Sequence, residues 1–215
     1  MTQSGMHNPS ANGGLVYLAS RSPRRRELLD QLGIPHQVLV MRERPGRPAD
    51  VDETPLPQEL PDAYVQRVCR AKSDVAWTSL TERGLPPRPV VAADTIVCLG
   101  DRIFGKPADG LAAADMLRAL SGKQHRVLTA VAIRLGDQLE ATVSESLVTF
   151  SVLDEAVISA YIATGEPLDK AGAYGIQGRA AAFIPELRGS YSGVMGLPLY
   201  ETARLLDRLR KNPGP

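Results

Sequence analysis

The sequence is poor in cysteine and histidine, which excludes several kinds of site. Its 215 residues include two cysteines, Cys69 in a helical pattern and Cys98 in an apolar strand pattern. Two thiols without motif spacing indicate reduced core residues rather than a disulfide or a zinc site, and this favours a cytoplasmic protein. The three histidines, His7, His36 and His125, are scattered and form neither a metal-ligand pattern nor a catalytic triad.

An excess of one charge and long apolar runs are also absent. Twenty-five Lys and Arg against twenty-four Asp and Glu leave a net charge of +1, so no overall field favours a nucleic acid or a membrane as partner. No stretch approaches the roughly 18 apolar residues of a membrane-spanning helix, and residues 1–14 resemble neither a signal peptide nor a transit peptide. We therefore expect a flexible N-terminal tail at 1–14, a single domain at 15–210 and a C-terminal tail at 211–215.

The usual phosphate-binding loops are missing as well. No G-x-x-x-x-G-K-[ST] occurs and no G-x-G-x-x-G follows a strand, which argues against P-loop and Rossmann proteins. Periodicity and turn signals instead predict strands at about 15–19, 36–41, 90–99, 126–135 and 140–153, and helices at about 22–32, 62–80, 109–120, 154–164 and 198–209. Because the hairpins require antiparallel pairs while the first strand–helix unit favours a parallel neighbour, we predict an α/β fold with a mixed, partly antiparallel central sheet flanked by helices.

A basic segment lies where the first predicted strand gives way to a helix. Residues 20–26 read Ser-Arg-Ser-Pro-Arg-Arg-Arg, and the free N–H groups at a helix start favour an anion such as phosphate. Arginines oppose the helix dipole at this position, which is easier to understand if an anion offsets them. A solvated first turn that happens to be basic is the alternative.

A carboxylate interrupts the apolar strand predicted at 90–99. Asp94 in such a strand costs several kcal/mol unless it is paired, hydrogen-bonded or metal-bound, so we expect it to have a strong partner. The alternative is an aspartate at a strand end or bulge that accepts hydrogen bonds from nearby N–H groups. Lys106, in a Gly-Lys-Pro stretch just past the hairpin partner of this strand, is restricted in direction by its neighbours, although the motif alone is weak.

Two further parts of the sequence can be interpreted either as ordinary structure or as functional residues. Glu53 in the long, proline-rich loop at 42–61 and Lys72 on the following helix are of types that usually lie on the surface. The glycine-rich segment at 169–178 fits an ordinary tight connection. Gln177 within it, however, offers an amide donor and acceptor suited to reading the edge of a base.

Taken together, these segments resemble the Maf family of nucleotide pyrophosphatases from about Leu15 to Leu209. The matching stretches are Ala-Ser-Arg-Ser-Pro-Arg-Arg at 19–25, Ala-Asp-Thr-Ile-Val at 93–97, Gly-Lys-Pro at 105–107, 120–122 with 125–127, 165–178 and 196–199. So many ordered matches make the resemblance specific. It implies a two-lobed fold similar to the inosine-triphosphate pyrophosphatases, with the active site in the cleft between the lobes.

The resemblance also implies roles for individual residues. Asp94 matches the family's proton acceptor, and Arg24, Thr95 and Gln177 match positions associated with substrate choice. The other positions that line the family's cleft are matched by Ser20, Arg25, Glu53, Lys72 and Lys106.

The expected reaction follows from the same resemblance. The segment at 169–177 resembles the branch that acts on dTTP and UTP rather than the 7-methyl-GTP branch, so we expect a pyrimidine nucleoside triphosphate to be cleaved to the monophosphate and pyrophosphate. We also expect a divalent metal cation, Mg²⁺ or Mn²⁺, held by Asp94 and Glu53. Because a metal-bound carboxylate is a poor free base, proton acceptor and metal ligand are competing roles for Asp94.

Other functions and some details stay open at this point. A nucleotide-binding regulator of cell division would bind a nucleotide without turnover, and a nucleotidyltransferase would give different products. A pyrophosphatase for another nucleotide, such as 7-methyl-GTP, is a further alternative. A homodimer is an open alternative to a monomer. The sequence departs from the family pattern at Ser151, where relatives often have Arg, at Gly193, where Asn is common, and in a longer stretch at 42–48.

Overall fold

The computed structural model describes residues 14–40 and 51–211, and its centre is one sheet of seven strands. The strands are β1 (Val16–Leu18), β2 (His36–Val38), β3 (Val90–Leu99), β4 (Arg102–Phe104), β5 (Gln124–Leu135), β6 (Gln138–Thr149) and β7 (Glu186–Arg188). The helices of this part of the chain are α1 (Pro23–Gln31), α2 (Pro61–Glu82), α3 (Gly110–Leu120), α4 (Glu155–Ile162), α5 (Tyr191–Met195) and α6 (Leu199–Lys211). Short 3₁₀ helices cover Glu166–Asp169, Ala171–Ala173 and Arg179–Phe183.

The sheet is mixed, as the sequence predicts. Its strand order is β2-β1-β3-β5-β6-β7, with β4 paired to β3 off this path. The short strand β1 runs parallel to both of its neighbours, whereas every other pair is antiparallel. The parallel pairs arise because α1 lies between β1 and β2 and provides the crossover that parallel strands need.

The long strand β3 changes its partner on one edge. Its first residues, Val90 and Val91, pair with β1, and its last residues, from Val97 onward, pair with β4. Between these two ladders, residues 92–96 have no strand partner on this edge within the described part of the chain, although β5 pairs with them on the other edge. The change of partner leaves a gap at the middle of the sheet.

The apolar core is divided between two lobes that share β3 and β5. In the first lobe, α1 and α6 pack against residues such as Val91 and Val131, and α2 covers the opposite face of the sheet. In the second lobe, α3, α4 and the 3₁₀ helices pack around Val97 and Val127. One half of each of these strands therefore belongs to one lobe and the other half to the second lobe. This agrees with the two-lobed fold that the family resemblance implies.

Most predicted elements are confirmed, and their ends have clear physical causes. The strand predicted at 90–99 is confirmed at both ends. Asp109 and Asp154 cap α3 and α4, because each carboxylate accepts a hydrogen bond, 2.8 Å long, from a backbone N–H three residues later. Cys69 and Cys98 are free and buried, as predicted for core residues.

Several predicted boundaries are wrong. The strand predicted at 140–153 ends at Thr149, because the backbone N–H of Phe150 donates to Lys123 and that of Ser151 donates to Phe183 instead of continuing the ladder with β5. The strand predicted at 36–41 ends at Val38. Of the tails predicted at 1–14 and 211–215, residues 1–13 and 212–215 lie outside the described residues, as does the longer stretch at 42–48, while Lys211 is the last residue of α6.

Within the described residues, no helix is both long and apolar enough to cross a membrane.

Candidate active site

A cleft of about 660 Å³ opens where β3 changes partners. It is lined by the end of β1, the middle of β3 and the segment after β4, so residues of both lobes face it. The structure brings together in this cleft every residue that the sequence predicts for the site: Ser20, Arg24, Arg25, Glu53, Lys72, Asp94, Thr95, Lys106 and Gln177.

Asp94 has the strong partner that its burial requires. Its Oδ1 accepts a hydrogen bond of 2.6 Å from Nζ of Lys72 on α2, and the same ammonium lies 2.9 Å from Oε1 of Glu53. The side chains of Asp94 and Lys72 are 9% and 14% exposed, whereas that of Glu53 is 57% exposed. The interpretation of Asp94 as a strand-end or bulge residue is therefore wrong, and so is that of Lys72 as a surface lysine.

The loop that carries Glu53 is held by α2. Arg67 donates to both carboxylate oxygens of Glu59, at 2.6 and 2.7 Å, and to the carbonyls of the residues on either side of Glu53, at 3.2 and 3.1 Å. The Tyr64 hydroxyl donates to the Glu53 carbonyl at 2.7 Å. Burial raises the pKa of Tyr64 to about 12, and the charge of Asp94 adds to the shift, so the phenol remains a donor. The sequence did not reveal this role of Arg67.

Arg25 is fixed by three acceptors. Its Nε donates to the Gly196 carbonyl at 2.7 Å, and its two terminal nitrogens donate to the hydroxyls of Ser20 and Thr95 at 3.2 and 3.3 Å. Burial lowers the pKa of Arg25 from its ordinary value, although the charge of Asp94 opposes the shift. The guanidinium stays cationic, because arginine keeps its proton in proteins. The structure thus holds one positive charge in a set direction.

A chain of hydroxyl groups continues from Arg25 into the sheet. The Thr129 hydroxyl lies 2.7 Å from the Gly193 carbonyl and 3.0 Å from the Thr95 hydroxyl. A carbonyl can only accept, so the single hydroxyl hydrogen of Thr129 points at Gly193, and Thr95 in turn must donate to Thr129. The oxygen of Thr95 is then left to accept from Arg25. Successive strand residues point to opposite faces, so Thr95 and Asp94 reach the cleft from different sides of β3.

Arg24 has a partner across the cleft. It donates to Oδ2 of Asp169 at 3.1 Å, and Lys170 donates to Oδ1 of the same carboxylate at 2.5 Å. Burial would raise the pKa of Asp169, but the hydrogen bonds from Lys170 and Arg24 leave it below its ordinary value. Because the Asp169 side chain is 63% exposed, this ion pair contributes little stability and a bound phosphate can replace it. The sequence did not indicate that Arg24 has an acidic partner.

Lys106 and Gln177 face the cleft with their polar ends unused. Both side chains are exposed, and neither forms a hydrogen bond or an ion pair with another described residue. Lys106 follows β4, while Gln177 lies in a turn of the second lobe. Both groups are therefore free to contact a bound molecule.

The two departures from the family pattern that the structure describes lie in different places. Gly193 is next to the cleft, since its carbonyl accepts from Thr129. Ser151 lies beyond the end of β6, away from the residues that line the cleft.

The number and position of the carboxylates decide whether the cleft can hold a metal ion. The described residues contain no group of three or more His, Cys, Asp or Glu side chains that could hold a metal ion. Asp94 and Glu53 nevertheless converge on one point, at which the ammonium of Lys72 lies. Mg²⁺ is commonly bound by one or two carboxylates together with substrate phosphates. Asp94 and Glu53 therefore fit a divalent ion only if other ligands complete its coordination.

The chain is similar to known proteins over nearly its whole length. The family described as Maf-like protein matches residues 15–209. The chain belongs to this family. A dTTP/UTP pyrophosphatase of Nitrosomonas europaea is 56% identical to this Maf-like chain over 195 residues, which cover 91% of the chain and 94% of the relative. A protein of the same name from Nitrosospira multiformis is 55% identical over 192 residues, with 89% and 93% covered.

A solved structure is also similar to this member of the Maf family. The Ham1 protein of Staphylococcus aureus matches 66% of the chain and 73% of its own length, with 16% identity and a TM-score of 0.40.

Proposed function

We propose that this chain is a nucleoside triphosphate pyrophosphatase that hydrolyses dTTP and UTP to the monophosphate and pyrophosphate. The proposal depends on one observation: a buried carboxylate, Asp94, stands in a cleft that arginine and lysine side chains of both lobes line. A polyanion fits such a cleft, and a carboxylate fits the activation of water. Relatives at 52–56% identity over about nine-tenths of the chain, all named dTTP/UTP pyrophosphatase, support the choice of substrate.

The physical problem of the reaction is negative charge. Water attacks the α-phosphorus, the bond from that phosphorus to the bridging oxygen breaks, and pyrophosphate leaves with the electron pair. Electrostatic stabilisation should therefore dominate. The cleft can provide this stabilisation, because cationic side chains from several elements line it, namely Arg24, Arg25, Lys72 and Lys106. In this proposal Arg24 exchanges Asp169 for a phosphate oxygen, and Arg25 needs no rearrangement because it is already fixed.

A divalent cation is part of the proposal. Asp94 and Glu53 would hold Mg²⁺ or Mn²⁺, which when bound supplies positive charge to phosphate oxygens and lowers the pKa of a coordinated water. Lys72 lies between these carboxylates and is long enough to turn towards the phosphates instead.

The affinity of an Asp94→Asn variant for Mn²⁺ distinguishes the two roles of Asp94. If Asp94 is the base, the variant keeps most of its affinity for Mn²⁺ in the presence of nucleotide. If Asp94 is a metal ligand, that affinity falls.

Base choice is assigned to Gln177. A uracil or thymine edge presents two carbonyl acceptors and an N3–H donor, and one primary amide can meet an adjacent acceptor and donor together. Cytosine lacks the N3–H and carries an amino group in place of O4, so the same amide would meet a mismatched pattern. An unsatisfied group costs about 1–3 kcal/mol, which gives roughly 10- to 100-fold discrimination.

A substrate panel tests the proposed function. Purified protein is incubated with dTTP, UTP, CTP, ATP, GTP and 7-methyl-GTP, with and without Mg²⁺ or Mn²⁺, and the products are separated. We expect equal amounts of monophosphate and pyrophosphate from dTTP and UTP, and only in the presence of metal. Orthophosphate and a diphosphate would place the cleavage at the wrong bond, and unchanged nucleotide would favour a regulator that binds without turnover.

A further inference from the structure

Outside the cleft, a carboxylate supports the turn that presents Gln177. Glu166 begins the first 3₁₀ helix, and its Oε1 accepts from the Tyr161 hydroxyl at 2.8 Å, while its Oε2 accepts from the backbone N–H of Arg179 at 3.1 Å. Its own carbonyl accepts from Nζ of Lys170 at 2.7 Å. One side chain and its backbone thus connect α4 to both ends of the segment that carries Gln177.

A side chain at Gly178 would displace this carboxylate. Gly178 directly follows Gln177, and a Cβ atom added to it would lie 2.1 Å from Oε1 of Glu166 and 2.4 Å from Cδ. The N–H of Gly178 donates to the Gly175 carbonyl at 3.0 Å and closes the turn around Gln177. The Glu166 carboxylate therefore packs directly against the turn that carries Gln177.

Tyr161 keeps the carboxylate in place. The phenol is 3% exposed, and burial, followed by the hydrogen bond to Glu166, raises its pKa well above the ordinary value, so it remains a donor. It also accepts from the N–H of Gly175 at 3.3 Å. The Tyr161 hydroxyl thus joins Glu166 to the start of the same turn.

Glu166 does not line the cleft. It borders a shallow depression on another part of the surface together with Arg179 and residues of α4. The Glu166 carboxylate can therefore act on a bound substrate only through the groups that it contacts, which are the Tyr161 hydroxyl, Gly178 and the N–H of Arg179.

We propose that Glu166 is a positioning residue for substrate choice: by bracing the turn from Gly175 to Gly178, it holds the Gln177 amide at the angle that distinguishes uracil and thymine from cytosine. This inference rests on the proposed function. In this proposal, a residue outside the cleft contributes to base selectivity.

The experiment compares base preference in two substitutions of Glu166. Glu166→Ala removes both acceptors, and we expect the ratio of kcat/KM for UTP to that for CTP to fall about 10-fold, the low end for a lost base contact. Glu166→Gln keeps one acceptor for Arg179 and can donate to the Tyr161 oxygen, so the ratio should stay within about 3-fold of wild type. Glu155→Ala, at a surface carboxylate paired with Arg118, is the matched control and should leave the ratio unchanged.

Two further variants separate positioning from a general loss of structure. Gly178→Ala forces the Glu166 carboxylate out of its place and should lower the same ratio. If Glu166 acts through Gln177, the double variant Glu166→Ala with Gln177→Ala should have the ratio of Gln177→Ala alone, since effects on one element are not additive. A ratio that stays at the wild-type value in Glu166→Ala while its Tm falls would show a purely structural role and overturn the proposal.

Binding measurements keep this test independent of turnover. The affinities of wild type and Glu166→Ala for the α,β-methylene analogues of UTP and CTP are measured by calorimetry. We expect wild type to prefer the UTP analogue and Glu166→Ala to lose about 10-fold of that preference. Failure of wild type to release pyrophosphate from UTP would contradict the proposed function. An unchanged analogue preference in the variant would contradict the role of Glu166.

Discussion

Replacing Asp94 by asparagine removes one negative charge and leaves the side-chain volume nearly unchanged. Lys72, whose side chain is 14% exposed, would then keep Glu53 as its one ionic partner among the residues that the structure describes. Breaking a buried ion pair costs about 3–5 kcal/mol. Because Glu53 remains and the ammonium keeps some contact with water, we expect a loss of about 2 kcal/mol in the free energy of unfolding. For a domain of this size, that corresponds to a fall in Tm of about 4–8 °C.

The same substitution should lower kcat by at least about 100-fold, because in the proposed reaction the Asp94 carboxylate accepts a proton or holds the metal. A second variant separates this effect from the loss of stability. Asp94→Asn combined with Lys72→Met removes the unpaired ammonium as well, so we expect its Tm to recover most of the loss while kcat stays low. Calorimetric unfolding and release of pyrophosphate from UTP measure the two effects.

Two results would refute this reasoning. Turnover like that of wild type in a folded Asp94→Asn protein would exclude Asp94 from the chemistry. An unchanged Tm in the single variant would show that the ion pair with Lys72 adds nothing to stability, and the buried carboxylate would then need another explanation.

Three other substitutions test separate parts of the site and core. Lys106→Ala should lower kcat/KM about 10- to 100-fold through loss of a charge-assisted phosphate contact and leave Tm unchanged. A kcat/KM equal to that of wild type would show that Lys106 is a solvated surface residue that does not contact the phosphates. Gln177→Ala should lower kcat/KM about 10-fold more for UTP than for CTP, whereas equal losses would mean that it does not read the base. Burial lowers the pKa of His125 to about 4, below about 6.5 in the unfolded chain. The unfolded state therefore binds more protons between these values, so stability should fall by about 3 kcal/mol as the pH drops from 6.5 to 4. His125→Gln should flatten this part of the stability profile, and an unchanged profile would contradict the assignment.

The elements that sequence reasoning found are those with a strong local signal. The apolar run of β3 and the turn signals that bound α3 and α4 specify structure over a few neighbouring residues, so they could be predicted. The 3₁₀ helices between Glu166 and Phe183 could not, because one or two turns without an apolar period look like an ordinary loop. The segment was expected as a tight connection and holds a large part of the second lobe.

Part of the candidate site could likewise be predicted from the sequence, and part could not. Asp94 could be identified because a carboxylate in an apolar strand needs a partner, but the sequence did not name Lys72 as that partner. The ion pair of Arg24 with Asp169 joins residues 145 positions apart, and no local pattern reports such a distance. Only the fold brings these residues together, so their contacts had to come from the structure.

The sharing of β3 and β5 between the lobes limits how this protein can be divided. Val91 and Val131 belong to one core, and Val97 and Val127, on the same two strands, belong to the other. A cut between the lobes would leave half-length strands with unpaired edges, which favour aggregation. We therefore expect that neither lobe folds as an autonomous fragment. A chimaera that exchanges one lobe between homologues must therefore exchange several discontinuous pieces of chain together, and its junctions would fall beside the substrate cleft.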